Sequence, residues 1–312
     1  MTKLIKLLTC SLLFASLVFA ARPLHAQQQA ASSKAPVTTV VTVLGPNFTA
    51  PPALGKDDVI VHTGTQREDV TGWTAAQGSD AALELAIVID DVATIGNQLD
   101  DLRKFIQSQP KGTSVGLFYA ENGIVQTVSP FSADHDAVAK KVRLTLGETS
   151  ASTSIFLSLM DVMSKWKTST ARREILLIAD GIDRFRGDPN SPDVTLAIER
   201  AQKAGIMIHT LYARGVGRAS RNLFRQNYGQ SNLAQTTDAT GGESFFQGLD
   251  TPISFAPFLA QLDMVLHNQY LLTFTTARST KKKGEFRRFR VNTEQHNAEI
   301  SAAREVLVPG PK

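Results

Sequence analysis

The amino-acid sequence predicts an α/β protein. A doubly wound, mostly parallel sheet is inserted in a small all-β module formed by the N- and C-terminal strands. Three observations carry this expectation. Apolar runs at 83–89, interrupted only by Glu84, and at 175–179 each stop at an aspartate, as central strands covered on both faces do. From residue 83 to residue 267, strand-like runs alternate with segments whose apolar residues recur at helical spacing. Outside that stretch, β-branched segments follow one another with turn residues, and no helix, between them.

The first candidate strand, 37–43, is ended by Gly45-Pro46, and the second covers 59–62. Pro51-Pro52 and Gly55 mark the turns between them, so 37–78 reads as an N-terminal β segment. After the strand at 83–89, Leu99, Leu102, Phe105 and Ile106 define one face of a helix. Strands at 114–119 and 124–128 are joined by an Asn122-Gly123 hairpin turn. Helices are expected at 137–144 and 157–166, followed by the strand at 175–179 and Asp180-Gly181. Ser191-Pro192-Asp193 combines a capping residue, a first-turn proline and an early acid, and Gly205 closes the helix they start. A strand at 206–212, a helix at 223–240, a short strand at 244–246 and a helix at 255–267 complete a Rossmann-like domain over 83–268. Strands at 270–275, 286–291 and 304–308 form a C-terminal β segment, 269–309, expected to pair with the N-terminal one.

The chain has 312 residues, of which 42% are hydrophobic and 20% charged, a balance that excludes a disordered chain and a polytopic membrane protein. Lys3 and Lys6 precede an apolar stretch at 7–20, and small residues follow at Ala20, Ala21 and Ala26. That is the pattern of a secretory signal peptide over 1–26, with a polar, flexible leader at 27–36. The expected location is therefore periplasmic or extracellular. Cleavage would remove Lys3, Lys6 and Arg22 and no acid, reducing the formal net charge from +4 to +1. It would also remove Cys10, the single cysteine, so neither a disulfide nor a cysteine-based zinc site is expected.

A doubly wound sheet places its site at the carboxyl ends of its strands. There the sequence offers Asp90, in Ile89-Asp90-Asp91-Val92-Ala93-Thr94, and Asp180, in Ala179-Asp180-Gly181. The hydroxyl-rich loop Thr149-Ser150-Ala151-Ser152-Thr153-Ser154 lies between them. Carboxylates and hydroxyls from three loops make the oxygen-only environment that suits a hard divalent cation such as Mg²⁺.

On these residues, and on the segment Ala239-Thr240-Gly241-Gly242, the chain resembles the von Willebrand factor type A (VWFA) domain family from about residue 83 to residue 267. Over its whole length it is similar to the secreted VWFA-related proteins of environmental bacteria such as acidobacteria. The resemblance implies a metal-ion-dependent adhesion site in which a ligand carboxylate completes the metal shell. Carried over residue by residue, it implies Asp90, Thr94 and Thr153 as metal-side residues, with Asp180 acting through water and Ser154 as the alternative to Thr153. The pattern is degenerate: Val92 stands where the family has a serine and offers no oxygen. Water can fill that position, so the resemblance leaves two expectations, a weakly held Mg²⁺ or no cofactor. Asp91, Asp183 and Asp188 are candidate substitute ligands, and the competing reading makes Asp90 and Asp180 structural caps.

Catalytic and nucleotide-binding signatures are missing from the sequence. Gly215-Val216-Gly217-Arg218-Ala219-Ser220 partly imitates a dinucleotide loop, but Ser220 replaces the third glycine and the motif follows a late strand. His209, within an apolar strand, reads as a core residue. Lys281-Lys282-Lys283 with Arg287, Arg288 and Arg290 forms a basic cluster on alternating strand positions, a charged sheet edge or a contact for an anionic surface. Asn222, Tyr228 and Gln230 lie in a polar stretch that could border the cleft. The expectation is an exported, non-enzymatic binding or adhesion-type protein recognising a protein or peptide at the strand-end cleft, with no nucleic acid and no transmembrane span. The alternatives are an envelope structural or assembly component without metal-dependent binding and, less favoured, a hydrolase.

Overall fold

Three strands come first: β1 (Lys34–Leu44), β2 (Val59–Thr63) and β3 (Gln66–Ala75). The computed structural model describes residues 34–147, 154–167, 169–186 and 191–311. The signal-peptide expectation, most of the leader, Thr153 and Asp188 lie outside the described residues. β3 is a strand that the sequence reading did not mark. Its run Gln66-Arg67-Glu68-Asp69 is too polar to signal a strand, yet it pairs with β2 in the register Val61↔Glu68 to Thr63↔Gln66.

Next, β4 (Leu83–Asp90) has Leu85 through Ile89 fully withdrawn from solvent, as an apolar run covered on both faces requires. It is flanked in parallel by β5 (Thr113–Glu121) and β7 (Arg172–Ala179), while β6 (Ile124–Ser132) turns back antiparallel to β5. That turn has φ of 53° at Asn122 and 79° at Gly123, the left-handed geometry that a tight hairpin demands. β8 (Ile206–Tyr212) and the two-residue β9 (Ser244–Phe245) extend the other side in parallel. The resulting order is β6-β5-β4-β7-β8-β9. The chain winds outward from β4 and then outward again from β7, so the winding reverses between these two neighbours. Asp90 and Asp180 therefore stand at the ends of adjacent strands.

Helices cover both faces. α1 (Leu99–Ser108), α2 (His135–Ala139) and α6 (Ala256–His267) bury Leu102, Phe105, Ile106, Val138 and Leu262 on one side. α3 (Ile155–Lys165), α4 (Pro192–Ala204) and α5 (Leu223–Thr240) bury Phe156, Leu159, Val194, Ala197 and Leu233 on the other. Ser191 caps α4 by accepting from the Asp193 amide, and Gly205 ends it at φ 63°. The helix expected at 137–144 is shorter than its apolar spacing suggests. Arg143 N–H donates to the Tyr119 hydroxyl at 2.9 Å, and that hydroxyl donates to the Arg143 carbonyl at 2.7 Å, holding the chain in a non-helical course.

β10 (Gln269–Ala277), β11 (Glu285–Thr293), β12 (Glu299–Ala302) and β13 (Glu305–Val308) return to the first three strands. β1 and β10 pair antiparallel from Lys34↔Ala277 to Thr42↔Gln269, so the two ends of the chain build one sheet. Its order is β12-β1-β10-β3-β2-β11-β13. The outermost strands are separated in the chain only by Ala303 and Arg304, so the sheet curls until its edges approach. Val41, Val61, Leu272, Phe274, Phe289 and Val306 fill the inside of the curl. Among the described residues, no helix is long and apolar enough to cross a membrane.

Candidate functional site

β4 and β7 deliver Asp90 and Asp180 side by side, and both are buried, at 4% and 1% exposure. Between them lies a residue that motif reading did not single out. The chain turns at Gly181 and brings the Arg184 guanidinium back onto the strand ends. Its Nη2 donates to Asp180 Oδ2 at 2.5 Å and to Ser220 Oγ at 2.8 Å, and its Nη1 stands 3.9 Å from Asp90 Oδ2. Asp180 is further satisfied by the Ile182 amide on Oδ1 at 3.0 Å, and by the Gly215 amide and the Ser220 hydroxyl on Oδ2 at 3.2 and 2.8 Å. Asp90 Oδ1 accepts from the Val92 amide at 3.3 Å.

Electrostatics follow from that count of charges. Arg184 carries one positive charge between two carboxylates. Burial opposes its ionisation, but Asp180 and Asp90 outweigh burial and hold its pKa above the usual arginine value. Asp90 receives the smaller share of that cation. Burial pushes its pKa up to about 7; Arg184 opposes the rise, and Asp180 and Asp91 add to it.

The loops above are laced together. The Thr94 amide donates to the Arg214 carbonyl at 2.7 Å, and the Val216 amide donates to the Val92 carbonyl at 2.9 Å. The Thr94 hydroxyl also donates to the Arg214 carbonyl. The glycine loop that imitated a nucleotide-binding motif thus has a steric role: a Cβ at Gly215 would come within 2.4 Å of Arg184 Nη2 and 2.5 Å of Asp180 Oδ2. Ser220, which spoiled that motif, supplies a hydroxyl to both Asp180 and Arg184.

The other candidates for oxygen ligands among the described residues are held elsewhere. Arg143 takes Asp91 through two nitrogens at 2.9 and 2.8 Å, and the Leu146 amide adds a third donor at 2.9 Å. Asp183 accepts from the Phe185 and Arg186 amides at 2.9 and 3.1 Å and from the Ser191 hydroxyl. Ser154 is buried as the N-cap of α3, accepting from the Leu157 amide. The described residues do not fit the divalent cation expected at this place. A guanidinium, which only donates, already lies between the two carboxylates; Asp180 has donors on both oxygens; Val92 has no side-chain oxygen; and the Thr94 hydroxyl is engaged by the Arg214 carbonyl. Among the described residues, no group of three or more His, Cys, Asp or Glu side chains is arranged to hold a metal ion. Arg184 could have been suspected from its place four residues after Asp180, a distance that a tight glycine turn can close.

Elsewhere, His209 is a fully buried core residue whose Nε2 meets Glu174 at 2.8 Å. In the basic cluster, Phe289 is buried and Arg288 and Arg290 are exposed, while Lys281 and Arg287 both lie against Glu285. Tyr228 and Asn222 are exposed on α5 and at its N-cap, and Gln230 donates to the Gly248 carbonyl.

No protein-family model matches the chain, and no curated protein matches it. Among solved structures it is similar to an aerotolerance-related membrane protein from Bacteroides fragilis, at 13% identity over 59% of this chain and 98% of that one, with a TM-score of 0.40. It is also similar to a von Willebrand factor type A protein from Catenulispora acidiphila, at 10% identity over 90% of this chain and 75% of that one, with a TM-score of 0.44. A third is the manganese-loaded TRAP protein of Plasmodium vivax, at 10% identity over 82% of this chain and 100% of that one, with a TM-score of 0.42. The strand order, the helix-covered faces and the adjacent aspartates at the switch point make the α/β half of this chain a doubly wound domain, the fold that the von Willebrand factor A resemblance implies.

Proposed function

We propose that this protein is an exported, non-enzymatic interaction protein whose VWFA-type domain engages a protein or peptide partner without a metal ion. The observation that carries the reading is the Arg184 guanidinium between Asp90 and Asp180. It supplies internally the positive charge that a divalent cation would bring, and it does so with the side-chain oxygens of Asp180 already taken. Hydrolysis would need a free base and a nucleophile at this crevice, and Asp180 is committed to five hydrogen bonds. Export rests on the three-part pattern at 1–26.

A second reading, an envelope assembly component that keeps only the scaffold, is favoured by the backbone lacing of Thr94 to Arg214 and of Val92 to Val216 across the crevice. Isothermal titration with Mg²⁺ and with Mn²⁺ tests the metal-free site. The wild-type protein is expected to give no binding heat and to melt at the same temperature with and without chelator. Saturable metal binding that disappears in Asp90→Ala would overturn the reading. Partner binding that ignores every substitution on the strand-end face would favour the scaffold.

A further inference from the structure

Next to the laced crevice, the same end of the domain carries side chains that nothing among the described residues covers. Leu223, Phe224 and Tyr228 are 63%, 74% and 44% exposed on the first turns of α5. Phe224 and Tyr228 are four residues apart and share one side of the helix. Arg218, Arg221 and Arg225 are exposed in the same segment, and among the described residues none of the three forms an ion pair. Exposed aromatic and aliphatic side chains grouped with uncompensated arginines mark a surface made to be covered.

Beside this ridge is a cleft of about 500 Å³ lined by Thr94, Arg214, Val216, Arg221, Asp250 and Thr251. In it Arg214 meets the Asp250 carboxylate at 2.5 Å. The cleft thus already holds one carboxylate against a guanidinium, and Arg221 on its wall has none among the described residues. The N-terminal turn of α5 adds positive partial charge at the same place.

We propose that the ridge and cleft dock an extended acidic peptide segment of a partner protein. Its carboxylates meet Arg221, Arg218 and Arg225, and a bulky apolar side chain packs on Phe224 and Tyr228. The proposal rests on the metal-free interaction reading above and adds the chemistry of the partner. Guanidinium pairs a carboxylate bidentately, so arginines can take over the anchoring of an acidic side chain from a metal ion. A peptide suits the site better than a lipid surface, because the charges border a recess and the exposed Asp250 would face anionic headgroups.

Fluorescence anisotropy with a labelled peptide of alternating Glu and Phe tests the proposal on the full chain. Controls are the same peptide with Lys in place of Glu, and a Glu-only peptide. The Glu/Phe peptide is expected to bind, more weakly at high salt, and equally with chelator or Mg²⁺. Phe224→Ala is expected to weaken it about tenfold or more, and Arg221→Glu to abolish it. Lys282→Glu, on the distant β module, is expected to leave it unchanged. These side chains are exposed, and unchanged melting curves would show that each variant is folded.

No binding by the folded wild type, equal binding of the Lys peptide, or indifference to both ridge variants would each overturn the proposal. So would a concentration-dependent dimer lost in Phe224→Ala, which would assign the ridge to a second copy, or preferential binding to phosphatidylserine vesicles. Binding that requires Mg²⁺ but still depends on Phe224 and Arg221 would overturn the metal-free reading and leave the ridge standing. Failure at the ridge with no metal binding would do the reverse.

Discussion

His209 and Glu174 meet across neighbouring strands of the parallel sheet, imidazole Nε2 to carboxylate at 2.8 Å, with both side chains withdrawn from solvent. The Glu243 amide donates to His209 Nδ1 at 3.0 Å, which leaves Nε2 as the nitrogen that donates to Glu174. The same carboxylate accepts from Gln269 at 3.2 Å and from Arg172 at 3.3 Å, and Arg172 also donates to the Gln269 side chain. Gln269 begins β10, so a buried polar network at the end of the sheet remote from Asp90 ties the α/β core to the curled sheet.

Glu174→Gln is therefore expected to cost more than a surface change. It leaves Arg172, at 8% exposure, without its buried counter-charge, a loss of about 3–5 kcal/mol measured by urea unfolding. Burial would raise the pKa of Glu174, but the hydrogen bond from His209, with Arg172 and Gln269, outweighs it and holds the pKa below the usual value of 4.5. A depressed folded-state pKa contributes stability that is present above the unfolded value and lost as pH falls through the folded one. The wild type should therefore lose stability steeply on the acid side of 4.5, and Glu174→Gln should lose this dependence.

Asp90 has the opposite sign. Its folded-state pKa is raised to about 7 from 3.8, so its contribution is fully present below 3.8 and is lost as pH rises through 7. Asp90→Asn keeps the shape and cannot ionise. It is expected to flatten the decline of stability between those values and to gain on the wild type above pH 7, by at most about 4 kcal/mol at roughly 1.4 kcal/mol per unit. Melting temperatures measured from pH 4 to pH 8 check this, and a parallel pair of curves would refute it.

The two aspartates were legible in the sequence because each ends an apolar run, and a buried parallel strand has a simple pattern. The cation between them was not. Arg184 reaches Asp180 only because Gly181 takes φ 70° and folds the loop back, and a turn of that kind carries no periodicity. Ser220 and Gly215 arrive from a different strand, forty and thirty-five residues away, so their part in the site depends on the sheet order. β3 escaped notice because its buried Glu68 is held by the Thr63 and Thr276 hydroxyls, and polar burial of that sort reads as a loop. Both glycines of Ala239-Thr240-Gly241-Gly242 have physical causes: Gly241 ends α5 at φ 84°, and a Cβ on Gly242 would lie 2.0 Å from the Ile208 carbonyl oxygen.

Gly229 on α5 backs the site. A Cβ there would stand 2.2 Å from the Asp180 carbonyl oxygen and 3.0 Å from Ile182 Cγ1. Since the backbone after β7 has nowhere to retreat, Gly229→Ala is expected to destabilise the protein by about 1–3 kcal/mol despite the better helix propensity of alanine. Chemical denaturation measures the loss; a neutral or stabilising effect would show that α5 can shift away from the strand end.

The two tryptophans stand one in each half of the molecule and can report whether those halves unfold together. Trp73 stacks on Tyr270 at 4.4 Å within the curled sheet, and Trp166 stacks on Phe131 at 4.8 Å within the α/β domain. Between the halves run the Arg172–Gln269 contact, the Arg304 amide to the Ala239 carbonyl, and Leu44 and Phe48 packed against the α/β core. Because these links span several elements and include the buried Arg172, Gln269 and Leu44, opening one half would strip partners from the other. Trp73→Phe and Trp166→Phe, each retaining one reporter, are therefore expected to show fluorescence transitions in urea that coincide with the loss of circular dichroism in the same variant. If the signal from Trp73 is lost at lower urea than the α-helical signal, the curled sheet unfolds as a separate unit and the Arg172–Gln269 network does not couple it to the α/β domain.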